Sequence, residues 1–202
     1  MGVALDTVDL LNIAFKELDM DFNEMKVCEL GDQVLRRCLR KSDGAYKPYG
    51  SCKGYIQSLG AEHISLDLNG KHGALKENLS KPIDKWLGYF DLITNYGTIE
   101  HVGTAGDMES QYHAFMNVHN FCRAKGVMTQ LNPLVGYALT HCPYHYEPWC
   151  WHNLAKANNY KMIFNDIMVR SSKSAWNRAV LVKEIDAPFI SMSQFIELGG
   201  IV

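Results

Sequence analysis

Apolar and polar positions along this chain switch repeatedly between a period of about 3.6 and a period of 2, and each switch marks a change of element. In residues 7–18, Val8, Leu11, Ile13, Ala14, Phe15 and Leu18 recur at helical spacing behind a capping Thr7 or Asp6, predicting a helix that covers a sheet edge or a ligand crevice. Val27, Cys28 and Leu30 form an apolar run that stops at Gly31, and Val34, Leu35, Cys38 and Leu39 follow at helical spacing. That stretch predicts strand, tight turn and helix. A short helix follows around Tyr55, Ile56 and Leu59, closed by Gly60. Residues 63–68 predict a strand closed by the turn pair Asn69-Gly70, residues 74–79 a weaker strand, and residues 81–87 a helix with Pro82 in its first turn.

The clearest strand is predicted at residues 90–95. A long amphipathic helix follows at 107–124, carrying Met108, Tyr112, Phe115, Met116, Val118 and Phe121 on one face, and then a strand at 126–131 that stops at Pro133. The remaining elements are a helix at 151–158 and strands at 160–170 and 178–184, joined by a polar, hairpin-like stretch at 171–177. Two connections stand out. Residues 41–50, K-S-D-G-A-Y-K-P-Y-G, are a surface loop or a lid, and residues 134–151 are dense in His, Tyr, Trp and Pro.

Strands alternating with helices predict an open, largely parallel α/β sheet, in which ligands bind at the carboxyl ends of the strands. Gly31 then permits close backbone approach to a ligand, Glu29 points a carboxylate into the same crevice, and Asp67, at the end of its strand, lies on the same side.

At 202 residues and 47% hydrophobic the chain suits one domain, 1–202, with a helical segment at 1–24. A net charge of -2 argues against a nucleic-acid partner or an anionic membrane surface, and no stretch is apolar enough for a span. The six cysteines include no C-x-x-C pair, so reduced thiols in a cytoplasmic protein are expected. Asp6 and Asp9 argue against a signal peptide, and Asp6 stands where myristoylation wants Ser or Thr.

Taken in order, E-L-G, S-L-D-L, F-D-L-I-T-N-Y-G-T-I-E-H-V and F-C-R-A-K-G-V-M-T resemble the class I S-adenosylmethionine-dependent methyltransferases, over about residues 26–184. The I-E-H-V stretch and the R-A-K-G turn resemble the small-molecule branch. The resemblance implies a Rossmann-like fold with a central seven-stranded, mostly parallel sheet, its last strand antiparallel, and helices on both faces. It implies S-adenosyl-L-methionine as cofactor, S-adenosyl-L-homocysteine as product and a small-molecule acceptor, and is compatible with a homo-oligomer. Glu29, Leu30, Gly31 and Gln33 would lie by the amino-acid end of the cofactor, Asp67 at the ribose, Leu68, Asn78 and Leu79 by the adenine, and Asn95 with Tyr96 beside the methionine portion. The sequence departs from the family in placing Asp32 and Gln33 where glycines usually stand. Their side chains narrow the approach, and a catalytically silent binding or scaffold domain is the alternative reading.

Methyl transfer needs in-line alignment and removal of a proton from an oxygen or nitrogen nucleophile. His101 is the first candidate base, with Glu100 as orienter or alternative base, followed by His141 and His145 in the 134–151 insertion, near the presumed acceptor site. Glu100 and His101 could equally begin the following helix. His141 and His145 could bind a metal with Glu100 or Cys142, but Pro143 breaks the helical two-His arrangement and no metal is expected. Tyr144, Tyr146, Trp149 and Trp151 suit a hydrophobic cover. The absence of G-x-G-x-x-G disfavours a nicotinamide oxidoreductase, and N-Y-G-T differs from the N-P-P-Y type of base methyltransferases.

Overall fold

The computed structural model describes residues 2–3, 5–35, 51–137 and 141–202. The 41–50 loop, Cys38 and Leu39 lie outside the described residues. The period-two runs assemble into one sheet of β1 (Lys26–Leu30), β2 (Glu62–Asp67), β3 (Leu75–Lys76), β4 (Phe90–Tyr96), β5 (Cys122–Pro133), β6 (Tyr160–Ser171) and β7 (Ser174–Lys183). Their order is β3-β2-β1-β4-β5-β7-β6. β1 to β5 pair in parallel, whereas β7 runs antiparallel to both β5 and β6.

Both faces are covered, so the central strand β4 is buried at every position. α1 (Leu5–Leu18) and α2 (Cys52–Ser58) close one face. Leu10, Leu11 and Ala14 of α1 pack there with Leu92, Val127 and Val180 from the middle of the sheet. α1 therefore covers the centre of a face and not an edge or the crevice. α3 (Met108–Phe121), α4 (Cys150–Ala157) and α5 (Met192–Leu198) close the other face, where Phe115, Trp151 and Phe195 pack against Cys28, Leu30 and Ile93.

Four further expectations are corrected. The helix anticipated after Gly31 is not formed at Val34–Leu35, which instead pairs in parallel with Gly2–Val3. Residues 81–87 form no helix. The buried Asn117 side chain holds that segment open, accepting from the Ile83 amide at 3.0 Å and donating to the carbonyls of Leu79 (3.2 Å) and Lys81 (2.8 Å). Those groups are then lost to an i to i-4 ladder, and Trp86 adopts φ +55°, outside the right-handed helical region. α3 ends at Phe121, because Cys122 already belongs to β5 and Lys125 takes φ +64°. The 171–177 connection is also shorter than expected, since β7 begins at Ser174.

Candidate functional site

The strand order reverses between β1 and β4, from which the chain winds outward in opposite directions, and α/β sheets bind ligands outside the carboxyl ends of strands at such a point. A cleft of about 620 Å³ opens there, a size usual for small-molecule sites, which run roughly 300–1,000 Å³. Residues 31–33 after β1, 66–68 at the end of β2, 77–80 after β3, 97–98 after β4, 101–104 and His141 line it. The structure thus brings Gly31, Gln33, Asp67, Leu68, Asn78, Leu79, His101 and His141 to one cavity. Glu29, Leu30, Asn95, Tyr96, Glu100 and His145 are outside its lining.

Gly31 has φ +81°, and a Cβ there would lie 2.4 Å from Thr98 Oγ1. Its missing side chain is therefore needed to admit Thr98, whose hydroxyl donates to the Leu30 carbonyl at 2.7 Å. Gln33 Nε2 donates to the same carbonyl and to Thr98 Oγ1, both at 3.2 Å. The Gln33 side chain thus occupies the turn and ties it to the end of β4. At the rim, Asp32 pairs with the exposed His72 imidazole.

Asp67 is placed by β2, with one carboxylate oxygen accepting from the Asp32 amide (3.0 Å) and the other from the Asn69 amide (2.8 Å). Leu68 is 64% exposed although large and apolar, and it stands in the cleft opposite the segment of Asn78 and the buried Leu79. Apolar side chains among a few polar groups are the usual lining of a small-molecule site.

Near the end of β4, Asn95 is fully buried in a polar network. Its Nδ2 donates to Gln130 Oε1 (2.8 Å) and Asn132 Oδ1 (3.1 Å), and its Oδ1 accepts from the amides of Thr98 and Ile99, each at 3.2 Å. Asn95 therefore shapes the cleft turn from below. Tyr96 points to the α1 face, where its phenol oxygen accepts from Thr129 Oγ1 at 3.0 Å. Glu100 is buried behind the turn and accepts from Asn132 Nδ2 at 3.0 Å, while its Oε1 accepts no side-chain hydrogen bond among the described residues. Burial pushes the Glu100 carboxyl up to about 8, against the opposing hydrogen bond from Asn132.

His101 ends the one-turn helix Ile99–His101 and stands exposed at the cleft, its ring 5.0 Å from that of His141 in an edge-on arrangement. Partial loss of solvent around the ring, then the His141 imidazole, lower its pKa, so the ring is neutral near pH 7. The turn is rigid because Gln111 Nε2 donates to the carbonyls of Ile99 and Val102, both at 2.8 Å. His145 is buried away from the cleft, its backbone paired with Val202, and Cys142 Sγ lies 4.0 Å from its Nε2. The aromatic insertion is core more than cover. Tyr144, Tyr146 and Trp151 are fully buried, while Trp149 is half exposed. Tyr144 donates to the Thr104 carbonyl and so anchors the insertion to the cleft lining.

Glu29 is fully buried and turned from the cleft. Its Oε1 accepts from the Gln33 amide at 2.9 Å, and its Oε2 lies 3.5 Å from His63 Nε2. Sequence reasoning missed Thr98, Ser80, Gly103 and Thr104 as lining residues. The T in N-Y-G-T was a signal for the first, since a hydroxyl directly after a strand-ending glycine is suited to bond a neighbouring turn.

No family model matches the chain, and no curated protein matches its sequence. Solved structures do match in shape. A Burkholderia thailandensis 1,6-didemethyltoxoflavin-N1-methyltransferase, solved with 1,6-didemethyltoxoflavin and S-adenosylhomocysteine, superposes with a TM-score of 0.54 at 12% identity, covering 88% of this chain and 82% of that one. StiE O-MT, residues 961–1257, gives a TM-score of 0.50 at 10% identity, covering 95% and 77%. The likeness is one of fold, and with strand order 3-2-1-4-5-7-6 and an antiparallel seventh strand, the chain has the class I S-adenosylmethionine-dependent methyltransferase fold.

Proposed function

We propose that the protein transfers a methyl group from S-adenosylmethionine to an oxygen or nitrogen of a small molecule. The observation that carries this reading is the cleft at the switch point, in which an acid (Asp67), two apolar side chains (Leu68 and Leu79) and a glycine turn (Gly31) face one cavity with a histidine pair at 101 and 141. The donor set suits the cofactor. Asp67 would accept from ribose hydroxyls, Leu68, Asn78 and Leu79 would hold the adenine, and Gly31 to Gln33 with Thr98 would hold the amino-acid end.

When bound, S-adenosylmethionine supplies a methyl group already activated on sulfur. The protein's task is then alignment, exclusion of water and removal of one proton. His101, neutral and at the cavity, takes that proton from the acceptor, and His141 orients the acceptor beside it. Glu100, buried behind the same turn, positions His101 through the backbone of Ile99–His101.

A silent binding domain is the second reading, and the Gln33 side chain favours it by filling the turn where the fold usually keeps glycine. Titration calorimetry with S-adenosylmethionine, S-adenosylhomocysteine and NAD separates the two. Binding of the first two alone supports the enzyme, whereas no binding by any of the three overturns it in favour of the scaffold.

A further inference from the structure

Beneath the cleft, three elements bring three metal-ligating side chains together. Glu29 lies on β1, His63 on β2 and Cys52 at the first position of α2, and one ligand atom from each lies within 4.8 Å of the other two. The register explains the meeting. Val27 pairs with His63 and Glu29 with Ser65, so Glu29 and His63 are diagonal neighbours on the α2 face. Ser51 caps α2 by accepting from the Gly54 amide at 3.0 Å, and the Cys52 amide donates to the Gln33 carbonyl at 3.0 Å, which sets Cys52 over the pair.

All three residues are buried, at 0% exposure for Glu29, 1% for Cys52 and 5% for His63. Even so, among the described residues Glu29 Oε2 and both ring nitrogens of His63 make no hydrogen bond of normal geometry, and Glu29 Oε2 faces only His63 Nε2 at 3.5 Å and the Cys52 thiol. Buried polar atoms are nearly always well paired, so a carboxylate, an imidazole and a thiol buried face to face without good hydrogen bonds are suited to a shared partner that accepts lone pairs.

We propose that Glu29, Cys52 and His63 bind one zinc ion, with a water as its fourth ligand. Thiolate, imidazole and carboxylate are the donors this ion takes in proteins. A tetrahedral ion with bonds of about 2.0–2.3 Å needs ligands roughly 3.3–3.8 Å apart. The 3.5 Å between Glu29 Oε2 and His63 Nε2 already meets this, and the Cys52 sulfur need only draw in. Binding releases the thiol proton to solvent, and no electron moves. The two anions and the dication then sum to zero, which suits a buried cluster. The ion is a brace rather than a reactive centre. Through Glu29 Oε1 on the Gln33 amide it would hold the turn from the side away from the cleft.

The test is a titration of chelator-stripped protein with Co²⁺, a spectroscopic substitute for Zn²⁺. Saturation at one equivalent is expected, with a thiolate-to-cobalt charge-transfer band, visible bands of a four-coordinate ion, and displacement of both by Zn²⁺. Cys52→Ser should remove the charge-transfer band, His63→Gln should weaken binding by at least about tenfold, and Cys142→Ser should change neither. Folded wild-type protein without the thiolate band overturns the proposal, whatever the variants do. A band that survives Cys52→Ser and is lost in Cys142→Ser also overturns it, because the thiolate then belongs to the aromatic insertion.

Discussion

Asp67 spends one lone pair of each carboxylate oxygen on a backbone amide, from Asp32 and from Asn69, and keeps the others for the cleft. The residue therefore both builds the rim and faces the cleft, and on the proposed function Asp67→Ala should weaken S-adenosylhomocysteine binding by about 1–3 kcal/mol. Calorimetry on a variant shown to be folded checks this, and unchanged affinity would remove Asp67 from the cofactor site. His101 makes a contrasting case, since its ring stands at the far end of the cavity with its pKa lowered. His101→Ala should leave cofactor affinity intact and reduce turnover on an identified acceptor by roughly 10²–10⁴-fold, the usual contribution of a general base. Retained turnover would return the residue to a role in its one-turn helix. The place of Asp67 was legible because it closes an apolar run directly, whereas His101 lies five residues beyond the end of β4 in a one-turn helix that the strand pattern does not announce. Glu29 also sits one residue before its strand ends, yet its side chain enters the α2 face. Period-two alternation explains the difference, since Glu29 shares a face with the buried Val27.

Elements are legible where their own residues decide them, and less so where a distant side chain does. β1, β4, β5 and β7 could be read from apolar runs because most of their positions are buried. The 81–87 segment could not, because Asn117, 34 residues beyond Ile83 on α3, takes over three of its backbone partners. No local pattern announces that Asn117 is fully buried within an otherwise amphipathic helix. The same amide holds Leu79, which lines the cleft, so wall and core are linked through one side chain. Asn117→Ala should destabilise the protein by about 2–4 kcal/mol, since it strands several buried backbone groups. It should also weaken S-adenosylhomocysteine binding through the displaced wall. Thermal melts together with a binding titration test this. A variant with wild-type melting behaviour would mean that the segment holds its path without the amide.

The arrangement of the whole molecule followed from alternating strands and helices, whereas its charge balance could not be read in advance, because it depends on burial. Glu100 and His119 show this, and they act on stability in opposite directions. Burial of Glu100 raises its carboxyl from 4.5 to about 8, so across that range the native state keeps a proton that the unfolded chain has lost. Stability contributed by this group therefore falls as pH rises from about 4.5 to about 8. Burial of His119 lowers its imidazole from 6.5 to about 4, so there the unfolded chain holds the extra proton and stability rises with pH over that interval. Above 6.5 the His119 contribution is complete while that of Glu100 is still changing. Between pH 6.5 and 8 the folded state should accordingly lose stability with a slope of up to about 1.4 kcal/mol per pH unit, the limit for one proton. Glu100→Gln removes the ionisation and keeps an oxygen for the amide of Asn132, which now bonds Glu100 Oε2 at 3.0 Å. The variant should therefore match the wild type near pH 5 and exceed it at pH 8, as read from denaturant midpoints across the series. Parallel curves for the two proteins would show that Glu100 is ionised in the folded state throughout, and that water reaches the end of the Asn95 to Asn132 network.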